Sequence, residues 1–195
     1  MNSRFKHPSH EVASVKAKVL AAASAILAEK GVEDLNLRAI AESAGIGISS
    51  MYHYFANKED LLLSLAVMWF EDLRRDIVRF RADPQSLTPV GAGARAFFGF
   101  AETRPALFSV MFAERRLARH EELREAEQRT MLEFQTSVET DARFPPAHQA
   151  NVAMALWALG RGIAATISSQ PDGQLPEQMA EKLWAGVSYL INHPD

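Results

Sequence analysis

The sequence predicts an all-α fold of about nine helices arranged as two bodies. Three observations carry this. Apolar residues recur at three- and four-residue spacing along most of the chain. Clusters of Gly, Pro, Asn and Asp fall between the periodic stretches rather than inside them. No β-hairpin pattern, internal repeat or low-complexity tract competes with the helical signal.

Composition sets the outer bounds. Of 195 residues, 48% are hydrophobic and 23% charged, which is ordinary for a folded globular chain and unlike a disordered one. There is no cysteine, so disulfides and thiolate chemistry are excluded. No basic start followed by an apolar segment suggests a leader, and the apolar stretch from Val152 to Ile167 is interrupted by Arg161. The expected setting is the cytoplasm, with no membrane partner. Net charge is −3, but through Lys58 seven Lys and Arg face five acids, leaving fourteen against nineteen in the remainder. That asymmetry has the sign expected of a nucleic-acid-binding N-terminus, although charge alone would not point to DNA.

Taken in order, residues 1 to about 10 carry Arg4, Lys6 and Pro8 without apolar periodicity and predict a basic arm. Val12, Val15, Val19, Ala22, Ala23, Ile26 and Leu27 then mark an amphipathic helix ending at Gly31. Asn36 is placed to cap a second, short helix whose apolar face is Leu37, Ile40, Ala41 and Ala44, and Gly45 stops it. A third helix from about Ile48 to Phe55 turns Met51 and Phe55 inward and leaves Ser49, Ser50, Tyr52, His53 and Tyr54 mostly directed elsewhere. Helices this short are marginal alone, so they must be held by something larger and exist for what they present.

Asn57 caps the fourth helix, with Glu59 and Asp60 in its first turn, where negative charge suits the helix dipole. Leu61, Leu65, Met68, Trp69, Leu73, Ile77 and Phe80 give it an apolar face for about six turns, roughly 35 Å at 1.5 Å per residue. It is long enough to join a head, residues 1–57, to a second body, residues 58–195. Asp83, Pro84, Gln85, Ser86 and Pro89 form the break that follows. Beyond it, helical patterns run from about Val90 to Glu102, Pro105 to Arg115, Leu117 to Ala142, Ala147 to Ser169 and Pro176 to Ile191. The separators include a kink near Arg116, the Phe144, Pro145, Pro146 turn, and Pro171 with Asp172 and Gly173.

A helix–turn–helix places its second helix in the major groove, where hydroxyl, amide and guanidinium groups can read base edges. Residues Asn36 to Leu62 resemble the TetR family of bacterial one-component repressors through Leu35, Arg38, Ile40, Ala41, Ala44, Gly45, Tyr52, Phe55, Lys58, Glu59 and Leu61. The resemblance covers about the first third of the chain. It implies that Arg38, Ile48, Ser49, Ser50 and His53 face bases, and that Tyr52, Tyr54 and Lys58 bind phosphates, with Asn36 capping the first reading helix. The bland alternative puts Tyr52 in the core and leaves the serines solvated. Gly47 departs from the family, which has a Ser or Thr there, so a capping and phosphate contact is missing. Tyr54 stands in place of the commoner His.

The second body is dense in aromatics and Met. Met68, Phe97, Phe100, Phe108, Met111, Phe112, Met131, Phe134 and Trp157 are of the kind that lines an apolar pocket and equally of the kind that fills a core. Trp157, Arg161 and Gly162 resemble the W-x-x-x-H-G motif of one TetR-family C-terminal domain, as does the stretch from Arg104 to Phe112, with Arg161 in the histidine's place. Arg161 on so apolar a helix needs a ligand carboxylate, an acid of the chain, or solvent. Rows such as Leu156, Ile163 and Ile167, then Met179, Leu183, Val187 and Leu190, suit pairing of the last two helices with a second copy, as the resemblance implies.

Catalytic chemistry finds no foothold. There is no HExxH, no Gly-rich phosphate loop and no His paired with a carboxylate at ligand spacing, so neither metal nor cofactor is expected. The expected function is a dimeric, ligand-responsive repressor that binds a palindromic duplex and is released by a small apolar or amphipathic effector. The competing reading is an all-α ligand-binding protein or enzyme without DNA affinity.

Overall fold

Why the head folds can be traced to its caps and its small core. A computed structural model describes residues 8–83, 88–113, 117–170 and 175–192. The first helix, α1 (Pro8–Lys30), starts about one turn earlier than the Val12 at which apolar spacing alone would place it, and Pro8 fits the first helical position. Residues 8–10 are therefore helical rather than part of an arm, and residues 1–7 lie outside the described residues. At the other end Gly31, with φ +80, donates to the Leu27 carbonyl at 3.0 Å and ends the helix.

Helix α2 (Leu37–Ser43) begins where the Asn36 side chain accepts the Ala39 N–H at 2.9 Å. It ends in a Schellman motif: Gly45 N–H bonds to Glu42 O at 3.1 Å and Ile46 N–H to Ala41 O at 2.9 Å. Gly45 holds φ +68, which a Cβ would strain. Helix α3 (Ile48–Tyr54) then buries Met51, and Phe55 follows it into the same core. Val19, Leu27, Leu35, Ile40, Leu61 and Leu65 complete that core.

Helix α4 (Lys58–Arg81) opens with a reciprocal cap. Asn57 Oδ1 accepts the Asp60 N–H at 2.9 Å, and the Asp60 carboxylate accepts the Ala56 N–H at 3.0 Å. The chain divides into two compact units between Ala66 and Val67. The division lies within α4, beyond residues 57 and 58, because Leu61, Leu62 and Leu65 are buried with the head.

In the second unit follow α5 (Pro89–Thr103), α6 (Pro105–Ala113), a 3₁₀ turn (Leu117–Arg119), α7 (Glu121–Glu139), α8 (Gln149–Ser168) and α9 (Glu177–Asn192). The expected single helix from Leu117 is thus two elements, since His120 is extended and Glu121 restarts the helix with Glu122 in its first turn. The predicted breaks at 84–86, 116 and 171–173 lie outside the described residues. Helix α8 packs against α5, α6 and α7. Its length and apolarity would suit a membrane span, yet it carries Arg161 and contributes buried Ala153, Trp157, Ile163 and Ala164 to this core. Gly93 permits a close approach of α5 to α7, since a Cβ there would stand 2.9 Å from Phe134.

A charged node closes the far end of the bundle. Asp141 is 4% exposed and takes three hydrogen bonds from Arg143, two from the guanidinium at 2.9 and 2.7 Å and one from the backbone N–H at 3.2 Å. Arg143 also reaches Thr88 at 3.0 Å and Asn192 at 2.6 Å, joining the start of α5 to the end of α9. Hydrogen bonding from Arg143 holds the Asp141 carboxyl below its ordinary pKa against burial, which alone would raise it, and the same bonds raise that of Arg143.

Candidate functional site

Helix α3 is anchored on one side and bare on the other. Met51 and Phe55 are buried, whereas Ile48, Ser49, Ser50, Tyr52 and His53 are exposed and Tyr54 half-buried. Tyr52 is 57% exposed, so it belongs to this outer face and not to the core. On the flanking elements Asn36, Arg38 and Gly47 are exposed as well. Nine of the ten predicted DNA-contacting residues thus retain at least part of their surface without a tie to the core.

Lys58 is held differently. Its Nζ donates to the Val32 carbonyl at 2.6 Å, from a half-buried position. An ammonium has two further N–H groups, so the tie does not exhaust it. Gly47 is extended and caps α3 without a side-chain hydrogen bond. Lys16 is exposed, with Nζ 5.6 Å from the Phe55 ring centroid. A surface of hydroxyls, imidazole and guanidinium on two short helices can donate hydrogen bonds to phosphate oxygens and base edges.

In the second unit the predicted effector residues separate into two sets. Phe97, Phe108, Phe112, Phe134 and Trp157 form one aromatic cluster, with Phe97 centred 5.2 Å from Trp157 and 5.5 Å from Phe108. Phe100 and Met111 are buried, and Met68 and Met131 half-buried, and none of these four lines either of the two cavities beside this cluster. One cavity lies among Val90, Phe97, Phe98, Trp157, Gly160 and Val187, but it holds only about 30 Å³, room for a water molecule or so. There the aromatics fill a core.

A second cavity is an open cleft of about 440 Å³ between α6 and α8, lined by Phe108, Ser109, Phe112, Arg161, Gly162, Ala165 and Ser169. Arg161 Nη1 donates to Glu127 at 2.9 Å, and its guanidinium lies 4.9 Å from the Phe112 ring centroid. Sequence reasoning found Arg161, Phe108 and Phe112 but missed Ser109, Ala165 and Ser169. They share the α6 and α8 faces with residues it did find, and only three-dimensional packing separates cleft from core.

Residues 19–65 match the family described as bacterial regulatory proteins, tetR family, and residues 90–187 match the tetracyclin repressor-like C-terminal domain. The chain is 33% identical over 101 residues to the HTH-type transcriptional regulator Rv1816 of Mycobacterium tuberculosis, covering 50% of this chain and 43% of that one. It is 39% identical over 77 residues to the HTH-type transcriptional repressor KstR2 of the same species, 38% of each chain. The matched stretch spans less than half the length of these curated relatives. The fold is also that of BioQ crystallised with its double-stranded DNA operator, at a TM-score of 0.58 and 19% identity over 91% of this chain and 95% of that one.

Proposed function

Because the chain belongs to the TetR family of DNA-binding transcriptional regulators, we propose that it acts as a cytoplasmic repressor that binds a palindromic duplex as a homodimer and is released by a small apolar or amphipathic effector. One observation carries the reading of the head: Ser49, Ser50, Tyr52 and His53 stand bare on a helix whose opposite side, Met51, is fully buried. In this reading Arg38, Ile48, Ser49, Ser50 and His53 face base edges, and Tyr52, Tyr54 and Lys58 hold phosphates. The relatives described as regulators and repressors support regulation over catalysis.

Dimerisation is proposed through α8 and α9. Helix α9 buries no residue of its own, and Met154, Met179 and Leu190 are exposed large apolar side chains. A second copy covering them gives a twofold pair of heads, which reads two half-sites about one DNA turn apart. Effector binding in the second unit shifts the balance between two spacings of the heads by its differential affinity for them.

The test is selection of duplexes from a random pool by the full chain. A recovered palindrome, with an affinity that falls steeply with salt, supports the proposal. Recovery of no sequence preference together with salt-independent binding would overturn it.

A further inference from the structure

We infer that the cleft between α6 and α8 receives a small amphipathic carboxylate, whose acid group takes the open side of Arg161. This deepens the ligand-responsive reading above and rests on it. The cleft's volume of about 440 Å³ falls within the range of small-molecule sites, roughly 300–1,000 Å³. Its walls are apolar at Phe108, Phe112 and Ala165, with hydroxyls at Ser109 and Ser169 and one cation, Arg161. Those groups specify a ligand with an apolar body, one negative end and room for a polar substituent.

Arg161 is prepared for such a partner. Its guanidinium lies over the Phe112 ring, and among the described residues only Nη1 is engaged, by one oxygen of Glu127. A guanidinium presents five N–H groups in a fork that matches a carboxylate. Ligand acid and Glu127 therefore share one cation, and the carboxylate already on Nη1 weakens its pull on the second. Phe112 in turn meets Phe70 of α4 edge-on, with ring centroids 5.0 Å apart. A ligand that moves Phe112 is felt in the helix that begins at the head.

Gly162 supplies an independent handle. A Cβ at this position would meet nothing within 4 Å, so a larger side chain enters the cleft without displacing packed atoms. Gly162→Leu replaces a poor helix former with a good one and should melt no lower than the parent.

Isothermal titration of the full chain with 4-phenylbutyrate and with its neutral amide tests the site. The acid is expected to bind at least tenfold tighter than the amide. Arg161→Gln should bring the two to parity, Glu127→Gln should tighten the acid several-fold, and Gly162→Leu should abolish binding of both. Equal affinity for acid and amide in the parent, no binding of the acid, or unchanged binding by Gly162→Leu would overturn the proposal. The same proteins on selected operator duplex separate the two readings. Acid that binds at the cleft without releasing DNA keeps the site and sinks ligand-responsive repression. Release by acid that persists in Gly162→Leu keeps repression and sinks the site.

Discussion

Lys58 Nζ donates to the carbonyl oxygen of Val32 across 26 residues of sequence, so the first residue of α4 is tied to the turn that follows α1. Removing the ammonium leaves a half-buried carbonyl with one partner fewer. Lys58→Met should cost the head about 1.5 kcal/mol, the scale of a hydrogen bond to a charged group. Thermal unfolding without DNA measures this. If Lys58 also meets a phosphate, the salt slope of operator binding falls by about one as well. An unchanged melting temperature would mean that the Val32 tie carries no weight.

Gly47 caps α3 with no side-chain acceptor, and a Cβ there meets nothing within 4 Å. Gly47→Ser should raise stability by a few tenths of a kcal/mol, the usual difference between these residues at an N-cap. It also places a hydroxyl beside the proposed DNA face. Tighter operator binding with a small rise in melting temperature is expected, and weaker binding would show that the serine collides with the duplex.

The Asp141 and Arg143 pair predicts an acid limb in stability. A carboxylate whose native pKa is depressed contributes stability that is complete above its ordinary value, 3.8 here, and is lost as pH falls through the native value. At neutral pH Asp141→Asn should be less stable by about 2 kcal/mol, from the loss of charge-assisted bonds to Arg143. Below about pH 4 the gap to the parent should narrow. Urea midpoints across this range decide it, and a gap that stays constant on acidification would be the contrary result.

Overpacking is the expected fate of Gly93→Ala. The added methyl stands 2.9 Å from Phe134, which is itself packed on Trp157 with ring centroids 6.0 Å apart. A loss of about 1–3 kcal/mol follows. In the double variant with Phe134→Leu the losses should sum to less than the two singles, since they share one contact. Strict additivity would show that the ring moves freely.

Leu190→Glu puts a charge on the exposed apolar face of α9, where Leu190 is 59% exposed. If the parent pairs as proposed, sedimentation should find a dimer for it and a monomer for Leu190→Glu at the same concentration. Operator affinity should fall with it, since one head alone buries too little to hold a site.

What could be read from the sequence was local. Asn36, Gly45 and the Met51 and Phe55 pair announce caps and an inner face because each acts within five residues of itself. Bonds across long stretches left no such trace. Val32 is 26 positions from Lys58, and Glu127 is 34 from Arg161, so neither partner follows from spacing. The aromatic lining was ambiguous for a different reason: Phe97 in the packed cluster and Phe112 beside the cleft are the same residue type, and packing alone decides which of them borders open space.

Helix α9 contributes no fully buried side chain and is held within its own chain by Trp184 against Phe98 and Asn192 against Arg143, so in the proposed dimer the other copy adds to its order. Amide protons there should exchange with solvent readily in dilute samples and slow as the sample is concentrated, while those of α8 change little. A single melting midpoint for this protein therefore has meaning only beside the concentration at which it was recorded.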